Sequence, residues 1–305
     1  MRLAVTGADG FVGRHVVAEA LKRGHDVVTI VRDPSQLSSQ RNDTQSFVGD
    51  LVESWPDVGP VDVIIHLAGL AAVGPSFENP RSYLEMNTAM VTNLCESVLR
   101  GDRPSPRLVF ASTAALYAPS TSAVSETSEL ALTSPYAVSK RCCENLIEYY
   151  ASRGIDSVIV RPFNHIGPGQ RTGFIVPDLF LSLTELSPGS PLRVGNLNTE
   201  RDYTDVRDVA AAYLDLSEAP VLTRRVYNVA SGVARSGHEV LEAICNAIGQ
   251  SVPELEYTTA NSRPSDNPSV VGNAASLRTE LGWSPVFPFS QSVTDFVRQL
   301  APLHE

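Results

Sequence analysis

Leu3-Ala4-Val5-Thr6-Gly7-Ala8-Asp9-Gly10-Phe11-Val12-Gly13-Arg14 is the stretch from which the fold is read. Leu3–Thr6 is an apolar run of strand length that stops at a glycine. A helical pattern follows through Lys22, with Val12, Val16, Val17, Ala20 and Leu21 on its apolar side, and Gly24 closes it. Strand, glycine-rich turn and helix in this order give weak glycine spacing a structural context. Gly7, Gly10 and Gly13 permit a tight turn and close backbone approach. The helix start around Phe11, Val12 and Gly13 offers unpaired N–H groups to a pyrophosphate. The bland alternative, glycines that only allow a turn, is the weaker reading in this setting. The first element therefore predicts a dinucleotide-binding α/β fold.

Working outward, strands and helices keep alternating. Asp26–Val31 reads as the second strand. Arg32 is the first polar residue after it, followed by Asp33. A guanidinium there suits a ribose 2′-phosphate, so the pattern predicts NADPH over NADH or NAD, with Arg14 able to help. Phe47–Leu51 looks like a third strand end, where Asp50 is placed to hydrogen-bond an adenine amino group and Leu51 follows it. Val61–Leu67 is the fourth strand, ending in His66-Leu67-Ala68-Gly69, whose small residues let a cofactor lie against the backbone. His66 reads as a packed, hydrogen-bonded histidine rather than a catalyst. Tyr83–Leu99 is helical, and its Asn87 supports local geometry or is simply exposed. Leu108–Ala111 is the fifth strand. Thr113 lies just beyond it, where ligands of open parallel sheets gather. Ser157–Val160 is the sixth.

Ser134-Pro135-Tyr136-Ala137-Val138-Ser139-Lys140 reads as a helix start, with a cap residue and then proline at the first helical position. Tyr136 and Lys140 fall on one helical face. A lysine cation one turn away favours the phenolate and is expected to lower the tyrosine pKa towards the range useful for acid–base catalysis. Alone, such a pair is more often an ordinary surface pair.

Composition sets the outer limits. The chain has 305 residues, 43% hydrophobic and 19% charged, and a net charge of 24 − 34 = −10. This describes an ordinary globular protein and makes nucleic acid and anionic membrane poor partners. An anionic substrate would need a few placed arginines. Cys95, Cys142, Cys143 and Cys245 have neither metal-ligand nor disulfide-framework spacing, so no metal is expected. With no signal-peptide pattern after Met1 and no apolar run of membrane length, a cytoplasmic location is expected.

Taken together, the glycine turn, Asp50-Leu51, His66-Leu67-Ala68-Gly69, Thr113, Tyr136/Lys140 and Arg161-Pro162-Phe163-Asn164 resemble the extended short-chain dehydrogenase/reductases that act on nucleotide sugars. The resemblance covers almost the whole chain. It implies a doubly wound, Rossmann-like parallel sheet over residues 1–162, rejoined by about 203–230. A smaller substrate lobe would be built from the interleaved segments 163–202 and 231–305. It implies Thr113, Tyr136 and Lys140 as the catalytic set, Lys140 also holding the nicotinamide ribose, and Pro162 beside the cofactor. Asn164, His165, Val194, Arg201 and Arg263 would meet the substrate. Arg201 and Arg263 match the family's anion-binding positions, and His165 is open between stacking, proton donation and a structural hydrogen bond.

Segments 163–170, 194–196 and 201–209 look most like GDP-4-keto-6-deoxymannose 4-reductases and related nucleotide-sugar 4-ketoreductases. Two positions depart from the wider family. Ala115 stands where dehydratases carry a carboxylate, which disfavours dehydration, and Met90 stands where a glycine is usual. The expectation is NADPH-dependent reduction of a GDP- or dTDP-linked 4-keto-6-deoxyhexose. The alternatives are a nucleotide-sugar 4-epimerase that retains NAD and a non-catalytic dinucleotide sensor. Family members are commonly homodimers through helices matching Tyr83–Leu99 and Tyr136–Tyr150, so a homodimer is expected.

Overall fold

In a computed structural model describing residues 1–33, 44–101, 104–258 and 269–300, the opening stretch folds as its glycines require. Strand β1 (Arg2–Thr6) ends at Gly7, and helix α1 (Phe11–Lys22) starts immediately after Gly10. Gly7 has φ 65°, a left-handed conformation that favours glycine. A side chain at Gly13 would overlap the Gly7 carbonyl oxygen and put its Cβ 2.8 Å from Ala8 Cα. The tight turn therefore depends on both residues.

Strands β2 (Asp26–Val31), β3 (Gln45–Val48) and β4 (Val63–His66) follow. Next come helices α2 (Val73–Glu78) and α3 (Pro80–Arg100), strand β5 (Arg107–Ala111), helix α4 (Pro135–Ser152) and strand β6 (Ser157–Pro162). The chain then leaves the sheet through β7 (Asn164–Ile166), α5 (Ile175–Thr184), β8 (Leu192–Val194) and β9 (Glu200–Asp205). Helix α6 (Val206–Glu218) leads back to β10 (Val226–Val229). The remainder is β11 (Ala234–Ser236), α7 (Gly237–Ile248), β12 (Leu255–Tyr257), β13 (Ser269–Val270), α8 (Ala275–Leu281) and α9 (Phe289–Leu300).

Seven strands form one parallel sheet in the order β3-β2-β1-β4-β5-β6-β10. Both faces are covered, which is why the strands read as continuous apolar runs. On one face Leu3, Val5, Val63, Ile65 and Val109 pack with Val16 and Val17 of α1 and Val209 and Tyr213 of α6. On the other, Ala4, Ile64 and Leu108 pack with Val91 and Leu94 of α3 and Ile147 of α4. Met90 belongs to this second cluster, buried where the family pattern has glycine. After β3 the chain crosses to the other side of β1 to form β4, so the strand order reverses between β1 and β4. That topological switch opens a crevice beyond their carboxyl ends, at Gly7 and Leu67. The fold is the Rossmann-like doubly wound α/β sheet expected from the sequence.

A third cluster joins α5, α7 and α9 to the short strands β8 and β9, through Val176, Phe180, Leu192, Tyr203, Leu241, Ile244 and Phe296. Here β9 pairs with β7, β11 and β13, and β8 pairs with β12. Among the described residues no helix is long and apolar enough to cross a membrane. No cluster of His, Cys, Asp or Glu there could hold a metal ion.

Candidate active site

The crevice at the switch point has a floor of backbone. Gly10 caps α1 without any side-chain hydrogen bond to the first helical turn, so those N–H groups face the crevice mouth. A Cβ on Gly7 would meet Ala68 N at 3.0 Å, which brings the glycine turn against the end of β4. Thr6 fastens that junction. Its Oγ1 accepts from Leu67 N (3.1 Å) and Ala68 N (3.0 Å). Both lone pairs are thus engaged, and its one hydrogen goes to His66 Nδ1 at 2.9 Å. His66 therefore carries its own proton on Nε2. Burial and the nearby Lys140 charge push its pKa down to about 3, and its ring stacks on Phe110. The packed-histidine reading holds.

Around this floor, Gly69 at the rim is exposed, as are Arg14, Arg32 and Asp50. Arg14 Nε donates to Asp9 O at 3.0 Å, and Asp50 Oδ1 accepts from Val52 N at 2.9 Å. Leu51 is buried against the α3 side of the sheet. Val12 packs partly buried on the α1 side, and Pro162 ends β6. The flat glycine cradle, the free helix start and the exposed Arg32 at the end of β2 fit a dinucleotide, with adenosine over the β2 end and pyrophosphate at α1.

Helix α4 begins as its sequence signals. The Ser134 hydroxyl accepts from Ala137 N, and Pro135 takes the first position. This aims Tyr136 and Lys140 at the ends of β4 and β5, both side chains buried. Tyr136 hydrogen-bonds Thr113, and its ring meets Tyr83 edge-on. Lys140 Nζ donates to Ala111 O at 2.7 Å and lies 4.9 Å from the Phe110 ring centroid. A Cβ on Gly69 would stand 3.8 Å from Lys140 Nζ and 3.1 Å from Asn87 Oδ1, so the cradle rim and the α4 pair share one cleft.

The expected electrostatics need correction. Burial pushes the Tyr136 phenol up to about 12, and the hydrogen bond to Thr113 is what opposes it. Lys140 does not lower it, because its ammonium is held at the Ala111 carbonyl. Burial also lowers the Lys140 pKa, offset by Cys143 and Glu144. The phenol is therefore protonated at neutral pH, an acid rather than a base. Asn87, left open between two readings, is buried. Its Oδ1 accepts from Leu70 N at 2.8 Å, while Nδ2 donates to Leu70 O and to Ser139 Oγ, the latter at 3.0 Å.

The substrate-side residues gather less uniformly. Asn164 is exposed at the start of β7 and hydrogen-bonds Tyr203, its register partner on β9. His165 resolves towards two of its three readings: Nδ1 donates to Phe163 O at 3.0 Å, and the ring stacks on Phe11 at 5.8 Å. Burial lowers its pKa, so it is neutral and no ready proton donor. Val194 is a core residue, buried with Leu192 and Leu197, and its carbonyl accepts from Thr258 N at 2.8 Å. Packing is the role visible for it. Arg201 lies half-buried on β9, directly opposite Arg235 on β11. Arg235, stacked 4.6 Å from the Phe289 ring centroid, had no signal in the sequence, because only cross-strand register sets it beside Arg201. Arg263 lies outside the described residues. Ala115 is exposed, two residues beyond Thr113, and its N–H donates to Thr113 Oγ1 at 3.1 Å.

Fold and cleft define a dinucleotide-dependent oxidoreductase of Rossmann type. A family model described as "NAD dependent epimerase/dehydratase family" matches residues 3–230, and the chain belongs to that family, as an NAD(P)-dependent oxidoreductase of the nucleotide-sugar kind. It is 32% identical to the GDP-6-deoxy-D-mannose reductase of Pseudomonas aeruginosa, over 96% of this chain and 94% of that one. It is 31% identical to the UDP-glucose 4-epimerase of Azospirillum brasilense, over 93% and 87%. Among solved structures, Thermus thermophilus UDP-glucose 4-epimerase complexed with NAD superposes with a TM-score of 0.84 at 27% identity, covering 99% of each chain.

Proposed function

We propose that this chain reduces the C4 keto group of a nucleotide-activated 4-keto-6-deoxyhexose, GDP- or dTDP-linked, with NADPH as cofactor. Bound NADPH supplies the hydride that becomes the new C4–H bond. Tyr136 gives its phenolic proton to the carbonyl oxygen, so the ketone leaves as an alcohol and the phenolate is reprotonated from solvent. Thr113 hydrogen-bonds the same oxygen and orients it, and Lys140 holds the nicotinamide ribose. Arg32 takes the 2′-phosphate, and Arg201 with Arg263 takes the substrate diphosphate. The observation that carries this reading is the buried Tyr136 and Lys140 of one helix face, with Lys140 Nζ at the end of β5 and beside the Gly69 rim of the glycine cradle. Ala115 supports reduction over dehydration, since a methyl group cannot move a proton. The similarity to a GDP-6-deoxy-D-mannose reductase supports the substrate class.

The test mixes the protein, NADPH and GDP-4-keto-6-deoxymannose or its dTDP counterpart and follows the reduced-nicotinamide absorbance. Stoichiometric oxidation is expected, and no oxidation with any such sugar removes the reading. A 4-epimerase with retained NAD is the second reading, favoured by the similarity to UDP-glucose 4-epimerases. It predicts purified protein carrying stoichiometric NAD and interconversion of 4-epimers without net consumption of cofactor.

A further inference from the structure

Beyond the groups that meet the reactants, the cleft is backed by a buried charge cluster. Glu144 sits one helical turn past Lys140 and two past Tyr136, on the same stripe of α4. Its side chain is 0% exposed, yet its two oxygens receive four donors. Oε1 accepts from Ser112 Oγ at 2.6 Å and Arg161 Nε at 2.8 Å. Oε2 accepts from the Arg161 Nη2 group at 2.7 Å and the Arg141 Nη1 group at 2.9 Å. The rest of the Arg161 fork reaches Tyr117 Oη at 3.1 Å and Glu126 O at 3.3 Å. Tyr117 in turn donates to Asn228 Oδ1 of β10 at 2.6 Å.

We propose that Glu144 is a positioning residue of this site: its carboxylate ties the end of β5, where Ser112 precedes Thr113, to the helix face that carries Tyr136 and Lys140, with Arg161 as its counterion. The inference rests on the roles assigned to those three residues. Stability alone gives no reason for such a cluster, since well-packed apolar replacements of a buried ion pair are often neutral or stabilising. Geometry and charge give one. Ser112 has one hydrogen to donate, and committing it to Glu144 fixes the strand end on which Thr113 meets the phenol.

The same negative charge opposes the loss of charge that burial imposes on Lys140. The titratable and charged groups around that ammonium come from several elements. His66 of β4 is neutral. Tyr136, Cys143, Glu144 and Arg141 lie on α4 itself, Tyr83 and Cys95 on α3, and Arg161 on β6, bound to Glu144. Burial keeps Tyr136, Cys95 and Cys143 protonated at neutral pH. With those thiols neutral, Glu144 is the charged group of this shell that favours the lysine cation, a charge it shares with Arg141 and Arg161.

The experiment compares wild type with Glu144→Asp, Glu144→Gln and the double variant Glu144→Gln/Arg161→Met. The double variant removes both charges, so no unpaired Arg161 is left to unfold the chain. NADPH binding is followed by its fluorescence from pH 6 to 10.5, folding by circular dichroism, and turnover with the 4-keto sugar. Binding by wild type is expected to weaken on the alkaline side with a midpoint below the ordinary lysine value. Loss of the carboxylate is expected to lower that midpoint by about one pH unit in Glu144→Gln, less in the double variant, which gives up the opposite charge as well, and not in Glu144→Asp. Turnover of the Gln proteins is expected to fall about tenfold or more with KM little changed, the mark of a misplaced proton donor. An unchanged alkaline midpoint in folded Glu144→Gln, or a folded double variant that turns over at the wild-type rate, overturns the proposal. Should wild type reduce no 4-keto sugar, the proposed activity fails, and the cofactor-binding arm still decides the role of Glu144.

Discussion

Tyr136 is a phenol with its proton affinity raised by burial, hydrogen-bonded to one hydroxyl and facing the rim of a dinucleotide cradle. Such a group holds its proton more tightly than a free phenol, so its use as a donor rests on placement beside an oxygen whose basicity rises as hydride arrives. Tyr136→Phe is expected to lower turnover by at least ~10²-fold, the usual worth of general acid catalysis. It should leave the fold intact, because it gives up only the bond to Thr113. Near-normal NADPH oxidation by the variant would assign the proton to another group. Spacing made Tyr136 and Lys140 legible, since residues four apart on a helix share a face. It could not show where a four-carbon stem ends. That choice was made by the Ala111 carbonyl and the Phe110 ring, both on β5 and invisible from α4 alone. Arg32 is argued at the same scale. An exposed guanidinium at the end of β2 distinguishes cofactors only through the 2′-phosphate, so Arg32→Ala is expected to weaken NADPH roughly tenfold, about 1.4 kcal/mol, and NADH hardly at all. Equal losses for the two cofactors in a titration would remove the NADPH preference.

At the scale of elements, the turn between β1 and α1 tolerates no side chain at its third glycine. A Cβ at Gly13 would overlap the Gly7 carbonyl, so Gly13→Ala must push α1 away from the strand or reopen the turn. Cofactor binding is expected to be lost, with a melting temperature several degrees lower. Binding at wild-type affinity would show that the helix start does not cradle the pyrophosphate. Ser134→Ala is a milder case: losing the cap on Ala137 N should cost about 1 kcal/mol in urea unfolding. These two starts were readable because glycine conformation and capping are local. The same locality hid other elements. Strand β6 runs on to Pro162, so Arg161 is an inward-facing strand residue rather than part of a loop. Strand β13 has two residues, too few for any sequence period, and exists through its pairing with β9. Strands β7, β8 and β11 have three residues each, too short for a period, and are set by partners tens of residues away.

Three histidines join parts of the whole molecule that sequence distance separates, and each is held neutral. His66 bonds β4 to β1 through Thr6. His15 of α1 donates from Nε2 to Pro168 O at 2.8 Å, 153 residues along the chain. His165 stacks on Phe11 at the start of α1 and is bonded by Nδ1 to Phe163 O. Burial lowers the pKa of all three, His66 to about 3. Below pH 6.5 the unfolded chain takes up protons on these residues before the folded one does, so acid favours unfolding. Stability present above pH 6.5 is lost as pH falls towards each folded value, by up to roughly 1.4 kcal/mol per pH unit per histidine. Glu144, also lowered, adds the same trend only below its ordinary 4.5, and Asp208, raised from 3.8 by burial, opposes it near pH 4. The interval from pH 6.5 to 5 therefore isolates the histidines. Urea midpoints measured at pH 7.5, 6.5, 5.7 and 5.0 should be level between the first two and then drop. His15→Gln can still donate to the Pro168 carbonyl but cannot take up the proton, and is expected to flatten part of that drop. A midpoint unchanged down to pH 5 would mean that these rings gain protons on acidification without strain. The contacts between α1 and residues 163–168 would then be looser than their geometry indicates.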